Sequence, residues 1–159
     1  MVGKKLNWCF KLKEGLKIAE PNERLSKSYI EQTKSSLLRA EKDFEDKDLL
    51  WSTVAIYYAE YYALYSFLQR IGIKCENHSA SIILLKELFS IDNSGIFFAK
   101  EERVDKQYYT DFNITKQEIL EAIRIAENFN KRLLDFISKL DNQKIKEYRE
   151  KFKILNWKK

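Results

Sequence analysis

The stretch from Trp51 to Arg70 restricts the possible folds of this 159-residue chain more than any other. Fourteen of its twenty residues are apolar or aromatic, and Glu60 is the one charge before Arg70. Apolar groups at helical spacing lie nearly all the way round it. Such a helix is either central in a bundle or covered at an interface. Tyr57, Tyr58, Tyr61, Tyr62 and Tyr65 also place hydroxyls on it. A buried phenol needs a hydrogen-bond partner, so a wet seam or a dimer interface is expected there. Gly72 suits the left-handed position that ends such a helix.

The flanking segments also read as helices. Pro21-Asn22-Glu23 marks a start, with Asn22 as N-cap. Leu25, Tyr29, Thr33, Leu37, Ala40 and Phe44 then recur at three- and four-residue steps, and Asp46-Lys47-Asp48 closes the segment. After Lys74-Cys75-Glu76-Asn77-His78, a short helix is predicted with Ser79 as its cap and Ile82, Ile83, Leu85, Leu88 and Phe89 as its apolar set. A weaker helix runs from Ile96 to Tyr109, facing inward with Phe97 or Phe98, Val104 and Tyr108. Thr115 and Glu118 form a capping box, with Ile114 and Ile119 as a hydrophobic staple. The stripe behind it is Ile119, Ala122, Ile123, Ala126, Phe129, Leu133, Phe136, Ile137 and Leu140. No alternating strand pattern and no repeat is seen, so an all-α bundle follows.

Composition removes several function classes. Four Gly and one Pro are too few for a loop-rich or β-sandwich chain. No apolar run reaches the roughly 18 residues of a membrane span. Met1 to Phe10 has no apolar region and no cleavage pattern, so no signal peptide is expected. Cys9 and Cys75 form no CxxC pair, which argues against a disulfide framework or zinc site and for a reducing, cytoplasmic setting. His78 is the one histidine, so any imidazole chemistry must run through it. The two common glycine-rich phosphate loops are absent. Net charge is +5 but uneven: residues 1–20 carry +3 and residues 141–159 carry +4. These ends read either as basic arms that contact phosphate or as solvated lysine-rich termini. The expected organisation is one domain over 1–159. Its core spans about 22–140, with a basic arm at 1–20 and a basic tail at 141–159 that packs loosely or on a partner through Tyr148, Phe152, Leu155 and Trp157.

Several blocks together resemble the HEPN domain family, in its subgroup of small stand-alone archaeal proteins. They are Trp8-Cys9, the run from Gly15 to Asn22, the run from Tyr57 to Tyr65, the run from Gly72 to Ser79, and the run from Arg103 to Asp111. The resemblance implies an up-and-down bundle of four to five helices that homodimerises. It also implies an RNA-related role. Many such proteins are RNA-cleaving toxins with an Arg-x4-6-His motif assembled across a dimer, and some are neutralised by a minimal nucleotidyltransferase (MNT) that modifies a tyrosine.

This sequence departs from that motif. Arg103 lies in the matching segment, but positions 108, 109 and 110 are Tyr, Tyr and Thr. A phenol titrating near pH 10 is a poor base at neutral pH. The tyrosine-modification position would fall on Thr110, so it does not transfer either. The candidate catalytic residues are Arg103, Tyr108 and His78, and the candidate binding residues are Glu60, Arg103, Gln107 and Tyr109. Glu60 needs a partner if buried, and Arg103 is the cation expected to meet it. The tyrosines read either as base-stacking platforms or as core. No metal site and no cofactor is expected.

Losing a motif imidazole removes a group that typically contributes about 100- to 10,000-fold in rate. The expected function is therefore an RNA- or nucleotide-associated interaction module, paired with an MNT-type nucleotidyltransferase in a toxin–antitoxin-like system and with no membrane association. The alternatives are a metal-independent endoribonuclease built on Arg103 with Tyr108 or His78, and a purely structural dimerising bundle.

Overall fold

The computed structural model describes residues 2–108 and 113–157, with side chains for 6–108 and 113–155. The described residues form α1 (Val2–Phe10), β1 (Lys17–Ile18), α2 (Glu23–Glu45), α3 (Leu49–Ile71), β2 (Ile73–Lys74), α4 (His78–Phe89), α5 (Ser94–Tyr108), α6 (Lys116–Ser138) and α7 (Asn142–Trp157). The fold is an all-α bundle with α3 at its centre, packed most extensively on α2 and then on α6 and α5. Among the described residues no helix is long and apolar enough to cross a membrane.

The α2–α3 pair is a helical hairpin set by its caps. Asn22 accepts the Leu25 N–H at 2.9 Å, and Asp48 accepts the Trp51 N–H at 3.2 Å. Lys47 makes the turn with a positive φ of 64°. The two helices meet along small residues. Ser26, Thr33 and Ala40 are the buried positions of α2 together with Asp43, whereas Leu25 of the expected stripe is exposed. Close approach explains that difference, since hydroxyls can bond across the contact. The Ser66 hydroxyl donates to the Ser26 carbonyl at 2.9 Å, and the Ser52 hydroxyl donates to the Ala40 carbonyl at 2.8 Å. Buried Asp43 is neutralised by the Arg39 guanidinium at 2.8 Å.

The apolar surface of α3 is covered within the chain itself. Fifteen of its residues are buried, and Trp51 is its exposed large apolar residue. The helix therefore does not need a second copy to cover it. Gly72 ends α3 with φ 80°. A Cβ there would stand 2.6 Å from the Ala19 carbonyl oxygen, so the close crossing as well as the positive φ requires glycine.

Among the described residues, both basic ends contribute side chains to the core, beyond the expected boundaries of 22–140. Leu6, Cys9 and Leu16 from the N-terminal arm, and Ile145 and Phe152 from the tail, are buried in the same cluster as Phe67 and Phe129. The Phe10 and Phe152 rings meet at 5.4 Å, and Tyr148 packs edge-on against Phe89 at 5.0 Å. Arg149 donates through Nη1 to the carbonyls of Ala19, Ile71 and Gly72 at 2.5, 3.0 and 3.0 Å. That cation ties the C-terminal end of α3 to the segment before α2, where the Gly72 carbonyl also accepts the Ala19 N–H at 2.9 Å. The N-terminal arm is further tied down by antiparallel pairing of Lys17 with Lys74 and Ile18 with Ile73, a strand pair not expected from the sequence. Trp157 was expected to pack with the tail, but its side chain lies outside the described residues.

Local differences concern caps and faces. Asn77, not Ser79, caps α4 by accepting the Ala80 N–H at 3.0 Å. The inward face of α5 is Ile96 and Lys106, while Phe97, Phe98 and Tyr108 are exposed. The α6 capping box forms as expected: the Thr115 N–H donates to Glu118 at 2.7 Å, and the Glu118 N–H donates to the Thr115 hydroxyl at 3.2 Å. Of its apolar stripe, Ile119, Ile123, Ala126, Phe129, Leu133 and Ile137 are buried, while Ala122 and Phe136 are half-buried. Ile114 packs on the cluster that contains Ile119.

Candidate functional site

The one imidazole of the chain lies where α3, α4 and α5 converge. Residues 57 and 61 are four apart on α3, so their rings point the same way. The cap at Asn77 makes His78 the first residue of α4 and directs its ring onto these tyrosines. It stacks on Tyr61 with centroids 3.7 Å apart and an interplanar angle of 19°. Its Nδ1 is 2.5 Å from the Tyr57 hydroxyl. From the third side, α5 brings Arg103, whose guanidinium carbon lies 5.3 Å from the Tyr57 ring centre and 5.4 Å from that of Tyr58. This is cation–π geometry on two rings. Arg103 Nε is buried with no hydrogen-bond partner.

The electrostatics set the charge states of the two groups. Burial pushes the Tyr57 phenol well above its ordinary range, with Arg103 pulling the other way. Burial, then Arg103, then Lys100 push His78 down to about 4. The positive end of α4 acts in the same direction. At neutral pH the phenol therefore keeps its proton and the imidazole is neutral. In the tautomer whose ring hydrogen is on Nε2, the phenol donates to Nδ1 and the ring is a neutral donor near two cations. An anion brought to Arg103 and Lys100 would offset the charges that depress His78, and the ring would become more basic.

Of the residues singled out from sequence, Arg103 and His78 are brought together across two helices. Tyr108 is 67% exposed near the end of α5 and makes no hydrogen bond or ring contact with either. Gln107 is exposed on the same helix. Tyr109 lies outside the described residues. Glu60 is elsewhere. It is 1% exposed and lines a 510 Å³ cavity between α3, α5 and α6 with Ile56, Ala99, Ile119 and Ala122. Both its carboxylate oxygens lack a hydrogen-bond partner, so the expected pairing with Arg103 does not occur. The reason is the geometry of α5. Positions 99, 102 and 106 face the cavity, while positions 100 and 103 act on His78. The sequence offers a backbone group or a tyrosine hydroxyl as the partner of His78 without choosing Tyr57, and it did not point to Lys100 as a second cation. The i,i+3 spacing of Lys100 and Arg103 was the available signal.

Residues 26–137, well over half of the chain, match the family model for the HEPN domain. The chain belongs to the HEPN domain family. The HEPN match begins in α2 and ends within α6, so α1 and α7 flank it while sharing its core. No curated protein sequence matches this HEPN chain. Its cation and its imidazole come from α5 and α4 respectively, not from one Arg-x4-6-His segment.

Proposed function

We propose that this HEPN protein is a binding module that holds a phosphate of RNA or of a nucleotide against Arg103, Lys100 and the Nε2–H of His78. The observation that carries this reading is the Tyr57 hydroxyl on His78 Nδ1 beside Arg103. With the phenol proton on Nδ1, His78 is a donor to an anion and lacks the Nε2 lone pair that a general base needs. Phosphate recognition by fixed N–H donors and cations follows directly. The half-buried Tyr58 and Tyr62 beside the cluster offer ring faces for a base.

The module acts as a homodimer and works with an MNT-type nucleotidyltransferase in a toxin–antitoxin-like pair. The dimer is supported by the exposed Phe97, Phe98 and Tyr108 on α5, the helix that also carries Arg103. The nucleotidyltransferase pairing is supported by the resemblance and by the missing motif histidine. The meeting of Arg103 with His78 also favours a second reading, a metal-independent endoribonuclease. In that case a bound phosphate would raise the basicity of His78 until the ring could move a proton.

Both readings are separated by one set of experiments in EDTA. Wild type, Arg103→Ala and His78→Ala are mixed with end-labelled single-stranded and structured RNAs and with ATP, and both retention and cleavage are read. Binding without cleavage, lost in Arg103→Ala and weakened by salt, is the expected result. Cleavage abolished in both variants would assign the ribonuclease. Unaltered RNA and ATP binding in Arg103→Ala would overturn the site.

A further inference from the structure

The second polar feature of the interior is Glu60, and nothing in the phosphate-binding reading uses it. Its carboxyl is nine-tenths or more buried, yet neither oxygen has a partner. A buried polar group left unpaired is a standing cost in a folded protein, and its natural explanation is a missing partner. The carboxyl borders open space. The 510 Å³ cavity is lined mainly by apolar groups, including Ile56, Phe98, Ala122 and Ile125. Gly95 keeps the approach clear, since a Cβ there would stand 3.4 Å from Glu60 Oε1 and 3.1 Å from Ile125 Cγ2.

Charged groups border the cavity from two further helices. Glu102 and Lys106 face it from α5, and Glu118 and Glu121 face it from α6. Lys106 is already engaged by Glu102. On its own helix, Glu60 acts electrostatically on Tyr57, which is un-ionised. Glu121 is paired with Arg124 and Glu118 closes the Thr115 cap, so Glu60 is the lining carboxyl left without a partner, and its missing partner is a donor, best a cationic one. The apolar walls exclude a small hydrated ion as a good fit and favour a hydrocarbon body.

We propose that the α3–α5–α6 cavity binds an organic amine, with its ammonium on the Glu60 carboxylate and its apolar body along Ile56, Phe98, Ala122 and Ile125. Binding is coupled to proton release. Free Glu60 is protonated at neutral pH because burial pushes it up to about 8. The incoming ammonium stabilises the carboxylate, and the carboxyl proton leaves to water. Charge balances, since one cation enters and one proton departs.

Titration calorimetry with 2-phenylethylamine and hexylamine, each against the alcohol of the same skeleton, tests this. Run in two buffers of different ionisation enthalpy at pH 7, wild type is expected to bind amine at least tenfold more tightly than alcohol and to release about 0.9 proton per amine. Glu60→Gln, a neutral isostere of the protonated acid, is expected to lose both the preference and the proton release. Ala122→Phe, which fills the cavity and leaves the carboxyl in place, is expected to weaken amine and alcohol alike. Equal affinity for amine and alcohol, amine binding unchanged in Glu60→Gln, or no heat from either amine at millimolar concentration would each overturn the proposal.

Discussion

Replacing Glu60 by Gln is expected to stabilise this protein, by an amount that depends on pH. The carboxyl is buried without a hydrogen-bond partner, and desolvation pushes it from 4.5 up to about 8. On unfolding it returns to 4.5. Between the two values the native state holds a proton that the unfolded chain gives up, so stability falls as pH rises from 4.5 through 8. The linked loss is about 3 kcal/mol at pH 7 and a little under ~1 kcal/mol at pH 5. Gln has no such proton to hold. The advantage of Glu60→Gln over wild type should therefore grow by about 2.5 kcal/mol between pH 5 and pH 7. Urea denaturation of both proteins at several pH values gives this difference directly, and other titrating groups cancel in the comparison. A difference that stays constant with pH would refute the reasoning. A variant that becomes progressively less stable than wild type as pH rises would mean that a cation pairs with Glu60 in the native state.

Three further outcomes follow from the same interior. His78 is depressed to about 4 by burial, Arg103 and Lys100, so the native state resists the proton that the unfolded state takes up below 6.5. Stability should fall as pH drops from 6.5 towards 4, by about 1–2 kcal/mol after allowance for partial exposure, and the fall should be absent in His78→Asn. Arg149→Met keeps the stem of the side chain and removes the donor to three carbonyls; a loss of about 2–3 kcal/mol in chemical denaturation is expected, and a loss under ~0.5 kcal/mol would show that solvent replaces it. Cys9 is buried, and its thiol is pushed up to about 11 by burial and by Cys75. It should resist a disulfide reagent at pH 8 in native protein and react at once in denaturant, whereas fast native reaction would show that α1 opens readily.

Much of the fold was legible because it is written locally. Residues 49–71 and 116–138 carry long, unambiguous apolar patterns, and their ends are marked by Asp48, Gly72 and the Thr115–Glu118 box. The short α5 was less legible. Ile96-Phe97-Phe98 is apolar at three successive positions, and periodicity alone cannot choose which of them turns inward. The tails were misjudged for a related reason. Leu6, Cys9, Ile145 and Phe152 are scattered among lysines, and their burial depends on contacts with residues far away in sequence. The site divides in the same way. Arg103 and His78 were visible as residue types, but their meeting depends on how α4 and α5 pack against Tyr57. Glu60 and Arg103 looked like natural partners by charge, yet α5 presents two different faces, and the two groups ended in different places.

The central claim concerns one imidazole, and this chain has one histidine to observe. Nitrogen-15 NMR of His78, titrated with and without a short single-stranded RNA or ATP, reads its tautomer, its pKa and its response to phosphate together. A neutral ring with hydrogen on Nε2 and a free-protein pKa of about 4 is expected, with an upward shift on adding RNA or ATP that disappears in Arg103→Ala. A ring that titrates near 6.5 and ignores both ligands would contradict it.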